Sequence, residues 1–388
     1  MPFENKCIAL TPHSALKNLE EPYLYDIEND ELYALNADAY RFLLQICQGI
    51  NPPFPEEDEE FIRFCLYENL IALSETPLRS KVPLSASPIP SLRYLELQIT
   101  DRCNLKCRHC YIGEGSHQDL SKRQVRTILE EFEEIQGLRL LISGGEPLLH
   151  PHFWEINDLL RNYAFRSVLL SNGTLITKEV AKKLRVHEVQ VSLDGVKEGH
   201  ELLRGKDTFE KTMAAIDYLQ QANLRVSVAT MIHRGNLSEF DQLASLLQSK
   251  HIEEWNVDVP CLEGRLKTNL DLSVSPSEAS RFLEYGFGGG FHGAAENSTC
   301  GAHLCAIISN GTICKCGLFS GEPVGSIEEG LRTCWARIPR IALKDLTCQC
   351  PVMEECRGGC RYRAKIQGDL LQPDLFQCYA RGVLKGGE

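Results

Sequence analysis

Three cysteines lie within eight positions of the chain, in the stretch CNLKCRHC. Cys103, Cys107 and Cys110 have the spacing C-x3-C-x2-C, and the run ends without a fourth cysteine. Because a [4Fe–4S] cluster is usually held by four thiolates, three would leave one iron open to a small molecule. An open metal position is where chemistry can occur, as at catalytic zinc. A structural zinc site with a remote fourth ligand is the alternative interpretation.

A second motif, SGGEP, occupies residues 143–147. In this order, C-x3-C-x2-C and GGEP resemble the motifs of the radical S-adenosylmethionine (SAM) enzymes, and the resemblance covers residues 93 to about 285. It implies that the amine and carboxylate of SAM chelate the open iron. It also implies that an electron from the cluster cleaves SAM to a 5′-deoxyadenosyl radical.

The same resemblance implies further contacts with SAM. Gly144, Gly145, Glu146 and Pro147 match the segment that meets the SAM amine, since glycines let the backbone approach closely and a carboxylate satisfies an ammonium. Other matching positions are His109 near the adenine, Ser192 and Asp194 at the end of the fourth strand, Arg204 at the SAM carboxylate, and Asn172. A turn position for Asn172 and a surface position for Arg204 are the alternatives.

From Leu92 onward, strand-like and helical patterns alternate along the chain. Six apolar segments predict strands: RYLELQIT, LRLLISG, RSVLLSN, HEVQVSL, LRVSVATMI and EEWNVDV. Helical patterns between them include 122–134, 151–163, 178–184, 209–222 and 239–249. This alternation predicts an α/β fold with a parallel sheet, here a partial (β/α)6 TIM-like barrel of radical SAM type. Functional residues of such a barrel lie at the carboxyl ends of its strands, where both motifs fall.

Ten of the 17 cysteines lie between residues 300 and 378. Without an export signal, such clusters favour metal ligands over disulfides. The stretch CAIISNGTICKC predicts a β-hairpin whose two-residue turn is Asn-Gly at 310–311. That register would place Cys305, Cys314 and Cys316 on one face. This face would bind a metal, or form a disulfide pair in an oxidised sample.

The C-terminal region also resembles the SPASM extension of radical SAM enzymes, which carries two further [4Fe–4S] clusters. The resemblance implies Cys300, Cys316 and Cys360 as ligands of the first auxiliary cluster. Hairpin geometry suggests Cys305 as the fourth ligand, with Cys314 behind it, and an iron left open for substrate is the alternative. The ligands implied for the second auxiliary cluster are Cys348, Cys350, Cys356 and Cys378. Here the chain has C-x-C where the family usually has C-x2-C.

The remaining cysteines have no predicted role in metal binding. Four scattered ones are predicted to be small core residues: Cys7, Cys47, Cys65 and Cys261. Cys334 is predicted to be spare.

The first 78 residues read as a small α/β module that carries most of the net charge. They hold 15 acidic residues against 4 basic ones, which is −11 of the total of −12. Strand patterns at 7–10, 23–27 and 31–35 precede a helix that starts at Asn36 and a second helix, Glu56–Asn69. The pattern resembles the winged-helix-like precursor-recognition (RRE, PqqD-like) domain, in which a leader peptide adds a strand to a sheet edge. The charge favours a leader with Lys or Arg, and a solvated acidic face is the alternative.

Together these patterns predict four parts: the recognition module at 1–78, a linker at 79–91, the barrel at 92–285 and the SPASM region at 286–388. We expect an enzyme that abstracts hydrogen from a ribosomally made precursor peptide and forms a thioether or another crosslink. The alternatives are a peptide epimerase, a sulfatase-type protein maturase, a tetrapyrrole-modifying enzyme and a non-catalytic iron–sulfur carrier. The resemblance implies SAM, three [4Fe–4S] clusters and an external electron donor such as a flavodoxin or ferredoxin.

The composition of the chain argues against several other classes of protein. An acidic chain argues against a general nucleic-acid binder. No apolar run of about 18 residues is present, so no membrane span is predicted. The start MPFENKCIAL lacks the basic and apolar regions of a secretory signal, which predicts a cytoplasmic protein.

Overall fold

The computed structural model describes residues 7–50, 59–76, 78, 80–81, 85–290, 292 and 297–385. The predicted start of the second helix at Glu56 lies outside these residues, as do positions 79 and 82–84 of the predicted linker. Within them, no helix is both long enough and apolar enough to cross a bilayer.

The N-terminal module contains two small antiparallel sheets and two helices. Its strands are β1 (Cys7–Leu10), β2 (Ser14–Asn18), β3 (Pro22–Asp26), β4 (Glu31–Ala34) and β5 (Ile71–Ser74). Its helices are α1 (Ala37–Cys47), capped by the Asn36 side chain, and α2 (Glu59–Tyr67). One sheet pairs β1 with β5, and the other has the order β2-β3-β4. Strand β4 is therefore an outer strand of its sheet.

Six parallel strands form the barrel. They are β6 (Tyr94–Thr100), β7 (Arg139–Gly144), β8 (Arg166–Ser171), β9 (Glu188–Ser192), β10 (Arg225–Met231) and β11 (Trp255–Asp258). Neighbouring strands in the sheet follow chain order, and each pair is parallel. This order is that of a barrel built from successive βα units. The predicted fold class is confirmed.

Seven helices connect or follow these strands. They are α3 (Lys122–Glu134), α4 (Phe153–Leu159), α5 (Lys178–Lys183), α6 (Lys197–Arg204), α7 (Phe209–Gln221), α8 (Phe240–Ser249) and α9 (Pro276–Leu283). Helix α3 begins where Ser121 and Gln124 form a capping box, which satisfies two backbone N–H groups at the helix start. Its apolar face, including the fully buried Phe132, packs into the main core. Helix α6, which carries Arg204, was not among the predicted helices.

The N-terminal module docks on the end of the barrel where its strands begin. The buried Lys17 ammonium of β2 donates to the carbonyl oxygens of Gly137 at 2.7 Å and Ala164 at 2.6 Å. Burial lowers the pKa of Lys17 to about 7. Asp30, between β3 and β4, pairs with Arg139 at the start of β7. These contacts lie at the opposite end of the strands from the cysteine motif.

The C-terminal region adds three strands to the barrel sheet and then continues as short helices. The strands are β12 (Leu304–Ile307), β13 (Thr312–Cys314) and β14 (Gly325–Ser326). The helices are α10 (Leu331–Arg337), α11 (Met353–Cys356), α12 (Arg361–Gln367) and α13 (Leu375–Ala380). Strand β12 lies parallel to β6, so the sheet runs without interruption from the barrel into this region.

The hairpin of β12 and β13 differs from its prediction by one residue. Cys314 lies opposite Ala306 rather than opposite Ile307 as predicted, and Ile307 lies opposite Ile313. The turn has three residues and ends at Gly311, whose φ of 87° is in the left-handed region. Such a loop is the common alternative to the two-residue turn. A one-residue shift moves a side chain to the other face of the sheet, so the prediction that Cys305, Cys314 and Cys316 share a face is wrong.

Candidate functional site

The three-cysteine loop follows β6 at the carboxyl end of the barrel. Its start is fixed by Asp101, whose carboxylate accepts from the backbone N–H groups of Ser116 at 2.8 Å and Gln118 at 2.7 Å. Its middle is fixed by Arg108, whose N–H donates to the carbonyl of Leu203 at 2.9 Å. The loop is thereby held rigidly against helix α6 and its own downstream segment.

The three thiols of this loop are brought together. Cys103 lies near enough to Cys107 and Cys110 for their charges to interact, and its own sulfur accepts from the N–H of Leu105 at 3.4 Å. Cys107 is buried, and burial raises the pKa of its thiol. A buried thiolate requires a nearby cation or a metal, because the low dielectric of the interior penalises an isolated charge.

Arg204 supplies a cation at this position. Its guanidinium lies 4.0 Å from the Cys107 sulfur and pairs with the fully buried Asp194. Burial alone would raise the pKa of Asp194, but the charge of Arg204, together with His109, His200 and the Met231 N–H, holds that pKa at about 2. Asp194 also accepts from the N–H of Met231 at 2.7 Å. The ion pair therefore links β9, α6 and β10 at the mouth of the barrel. The alternative prediction, that Arg204 lies on the surface, is wrong, because its side chain is buried in this pair.

Gly144 and Gly145 lie against the base of the cysteine loop. The N–H of Gly145 donates to the carbonyl of Thr100 at 2.9 Å, and the N–H of Glu146 donates to that of Arg102 at 2.8 Å. A Cβ on either glycine would collide with one of these carbonyl oxygens, and the φ of Gly144 is 149°. Only glycine lets the two backbones approach this closely. Pro147 begins the single helical turn that follows.

The Glu146 carboxylate lies between the carboxyl ends of β7 and β8. It is fully buried and accepts from the Ser171 hydroxyl at 3.0 Å and the Asn172 N–H at 2.9 Å. The carboxylate thereby joins the ends of β7 and β8. Because its two oxygens can accept further hydrogen bonds, its contact with the SAM amine stays a prediction. Burial raises its pKa to about 7, although both hydrogen bonds act in the opposite direction.

The pKa of Glu146 predicts a pH dependence of stability. A carboxyl whose pKa is raised in the folded state, from 4.5 to about 7, stabilises the fold below pH 4.5, and this stabilisation is lost as the pH rises through 7. Relative to Glu146→Gln, the wild type should lose about 1 kcal/mol of unfolding free energy between pH 6 and pH 8. Denaturant unfolding of both proteins without SAM measures the difference. A wild type that gains stability relative to the variant over this range would contradict the assignment.

Asn172 and His109 complete the inner wall of the site. The Asn172 amide donates to the Asn104 side chain at 3.0 Å and therefore holds the cysteine loop, beyond its role in a turn. Burial of the His109 ring lowers its pKa to about 4, which keeps the imidazole neutral at pH 7. Among the described residues its Nδ1 is buried without a hydrogen-bond partner. Ser192 ends β9 beside Ala229 of β10.

These residues fit an iron–sulfur cluster and its nucleotide. Three thiols share one loop, a buried cation lies beside one of them, and a ring nitrogen lacks a partner. Across the described ranges, no three His, Cys, Asp or Glu side chains converge tightly enough for a single metal ion. A [4Fe–4S] cluster is larger than one ion, because irons and sulfides lie between its thiolates, and its cysteines are spaced accordingly.

Glu96, on β6, is a site residue that the sequence analysis missed. Its carboxylate accepts from the Tyr111 hydroxyl at 3.2 Å and from the Gly317 N–H at 3.3 Å. Tyr111 follows Cys110 and Gly317 follows Cys316, so Glu96 links the two cysteine regions. An acidic residue in the middle of the apolar strand RYLELQIT was the signal that could have identified it.

The four cysteines predicted for the second auxiliary cluster are brought together. Cys348, Cys350, Cys356 and Cys378 line one small pocket, and the thiol of Cys378 lies near enough to the other three for their charges to interact. The unusual C-x-C spacing therefore does not separate its two cysteines from the others.

The cysteines predicted for the first auxiliary cluster divide into two groups. Cys300 and Cys316 both lie near Cys360. Cys305 is fully buried in the main core with Cys334. Its proposed role as fourth ligand is wrong, because the shift of the hairpin turns its side chain away from the other three.

Part of this chain is similar to a known family and to curated proteins. Residues 97–247 match the profile of the Radical SAM superfamily. The mycofactocin maturase MftC of Mycobacterium tuberculosis is 35% identical over 159 residues, 39% of this chain and 41% of that protein. The AdoMet-dependent heme synthase of Oleidesulfovibrio alaskensis is 30% identical over 184 residues, 45% of this chain and 47% of that protein. This chain thus spans about half the length, or less, of these curated relatives.

Solved structures share the architecture at low identity. Streptococcus suis SuiB bound to its precursor peptide SuiA has a TM-score of 0.68 at 13% identity, covering 95% of this chain and 98% of that chain. Native anSMEcpe with bound AdoMet has a TM-score of 0.56 at 19% identity, covering 74% of this chain and 94% of that chain. At these identities the likeness concerns the fold.

Proposed function

Because residues 97–247 match the profile of the Radical SAM superfamily, we propose that the protein is a radical SAM enzyme that modifies a ribosomally made precursor peptide. One observation carries the proposal: the whole chain, from the N-terminal module through the barrel to the cysteine-rich region, has the architecture of SuiB, a protein solved with its precursor peptide. MftC, which is similar over part of the barrel, is also named as a maturase.

Each residue of the site has a task in this proposal. Cys103, Cys107 and Cys110 hold the cluster, and Arg204 offsets the charge of its thiolates. Gly144 and Gly145 keep the edge of β7 open to the SAM amine through their backbone. When bound, the cluster and SAM supply a 5′-deoxyadenosyl radical that removes a hydrogen atom from the substrate.

The N-terminal module supplies a place for the leader of the precursor. The N–H of Leu35 donates to the carbonyl of Pro22 at 2.9 Å. Because inward and outward backbone groups alternate along an antiparallel strand, the N–H groups of Leu32 and Ala34 point away from β3. Within the part of the chain that the structure describes, no strand pairs with this edge of β4. An extended peptide can therefore add a strand at this open edge. The acidic module favours a leader with Lys or Arg.

The residue Ala34 allows this edge to be tested. Ala34→Pro removes an outward N–H from an exposed position, and proline is tolerated on edge strands. We expect the variant to bind the leader about tenfold more weakly, because it loses one backbone hydrogen bond and meets the proline ring. Fluorescence anisotropy measures the change with the labelled N-terminal part of a candidate precursor, sought as a short open reading frame next to this gene. Ala34→Ser, which keeps the N–H, is the control, and equal binding by both variants would rule out pairing at this edge.

The reaction itself is tested with reconstituted, reduced protein, SAM and the same peptide. We expect 5′-deoxyadenosine and a peptide lighter by two hydrogens, the mass change of a thioether or another crosslink. A peptide that instead gains one deuterium from D2O, with no other change, would identify an epimerase. No 5′-deoxyadenosine under these conditions would overturn the enzymatic proposal and favour an iron–sulfur carrier.

A tetrapyrrole substrate is the second candidate, since heme synthases are among the relatives that match the barrel. The open β4 edge favours the peptide, because a porphyrin has no use for a strand-pairing surface. Conversion of a porphyrin but not of the peptide would reverse this preference.

A further inference from the structure

A cysteine outside the C-terminal region lies beside the incomplete first auxiliary site. Cys261 follows β11 and was predicted to be an ordinary core residue. Its thiol is in hydrogen-bond contact with the thiol of Cys360. Cys261 also packs in one small cluster with Cys316 and Cys360, next to Phe319 and Tyr362.

An ion-pair network holds the two chain segments in this arrangement. Arg363, three residues after Cys360, donates to Asp258, three residues before Cys261, at 2.5 Å. The same guanidinium pairs with the fully buried Asp374 at 2.9 Å, and Asp374 accepts from the N–H of Cys360 at 2.8 Å. Asp374 therefore orients Cys360 directly, and Arg363 ties it to the end of β11. A thiol that merely filled space in the core would not need its segment fixed to a loop that carries a predicted metal ligand.

We propose that Cys261 is the fourth protein ligand of the first auxiliary [4Fe–4S] cluster. The other three ligands are Cys300, Cys316 and Cys360. The proposal rests on the proposed function, because the auxiliary clusters belong to it. Four thiolates on four irons leave no open iron, so this cluster does not bind a substrate thiolate. The cluster of the three-cysteine loop differs, because its three thiolates leave one iron open. The ligand set also joins the barrel to the C-terminal region through a metal cluster.

The test uses the full chain carrying Cys103→Ala, Cys107→Ala and Cys110→Ala, which removes the cluster that binds SAM. This parent should hold about eight irons, in two clusters of four. Adding Cys261→Ala should lower the iron content toward about four, or change the EPR g-values of one cluster. Adding Cys305→Ala, the matched control, should change neither. Unchanged iron and EPR spectra in the Cys261 variant, or losses in the Cys305 variant instead, would overturn the proposal.

A second variant guards against simple misfolding. Cys261→His keeps a ligand atom at this position, so we expect it to retain about eight irons in the same parent but to shift the reduction potential and g-values of one cluster. A histidine variant with the potentials and g-values of the parent would also contradict ligation by residue 261. Because the parent cannot cleave SAM, none of these measurements depends on the enzymatic proposal, which is tested separately by 5′-deoxyadenosine formation in the wild type.

Discussion

Replacing Cys103, Cys107 and Cys110 together with alanine should reduce SAM cleavage to the background of the reductant alone. The three thiols share one loop, held at Asp101 and Arg108, and the loop offers the cluster its protein ligands. Without them the electron has no route to the sulfonium. Iron per chain should fall by about four, and the circular dichroism spectrum should stay that of a folded α/β protein.

Matched controls come from the N-terminal core. Cys47 and Cys65 are buried there, 1% and 0% exposed, and touch no site residue. Alanine at either position removes a small apolar group, so we expect unchanged iron and unchanged SAM cleavage with a modest loss of stability. 5′-Deoxyadenosine measured by chromatography separates the variants. Substantial cleavage by the triple variant would overturn the assignment of the active cluster.

Asp194→Asn should lower the unfolding free energy by about 3 to 5 kcal/mol, because it leaves the buried Arg204 cation without its partner. Asp194 is fully buried and the side chain of Arg204 is 10% exposed, so water cannot replace the lost carboxylate. Denaturant unfolding under anaerobic conditions measures the change. The affinity for SAM should fall as well, since the pair positions Arg204 beside Cys107.

A double variant isolates the electrostatic part of this effect. Asp194→Asn combined with Arg204→Met removes the uncompensated charge, so it should be less destabilised than Asp194→Asn alone by on the order of 1 to 3 kcal/mol. Glu210→Gln, which breaks the exposed pair with Lys197, should cost less than about 1 kcal/mol. Asp194→Asn within 1 kcal/mol of the Glu210 control would contradict a buried, paired charge at this site.

The barrel could be predicted from sequence because its signals are local. Apolar strands and amphipathic helices alternate at regular spacing, and helix α3 was predicted with its observed bounds. Strand β2 was missed, because it carries Lys17, whose charge masks a buried position. The ammonium is accommodated only by carbonyl groups more than a hundred residues away, which no local pattern reveals.

The candidate site was predictable where its residues share a motif and not where they meet only in the fold. The cysteines of the three-cysteine loop lie together as their spacing indicates. The cysteines predicted for the second auxiliary cluster lie together as the family resemblance implies. The Asn-Gly pair predicted a two-residue turn between β12 and β13, but the turn has three residues. The observed register pairs Ile307 with Ile313 in the core. Cys261 lies 39 positions before the next cysteine in the sequence, and only the network through Arg363 brings it to Cys360.

The attachment of the N-terminal module has a consequence for the length of the substrate. Lys17 and Asp30 attach the N-terminal module at the start of β7 and β8. The three-cysteine loop and the GGEP segment lie at the opposite, carboxyl ends of the barrel strands. Strand β7 has six residues, which at about 3.3 Å each is a distance of about 20 Å. On the proposed function, a peptide bound at β4 therefore needs at least about six extended residues between its bound part and the position to be modified. The distance between β4 and the three-cysteine loop thus sets a minimum number of residues between the leader and the modified position. Precursors with fewer residues there should bind but not be modified.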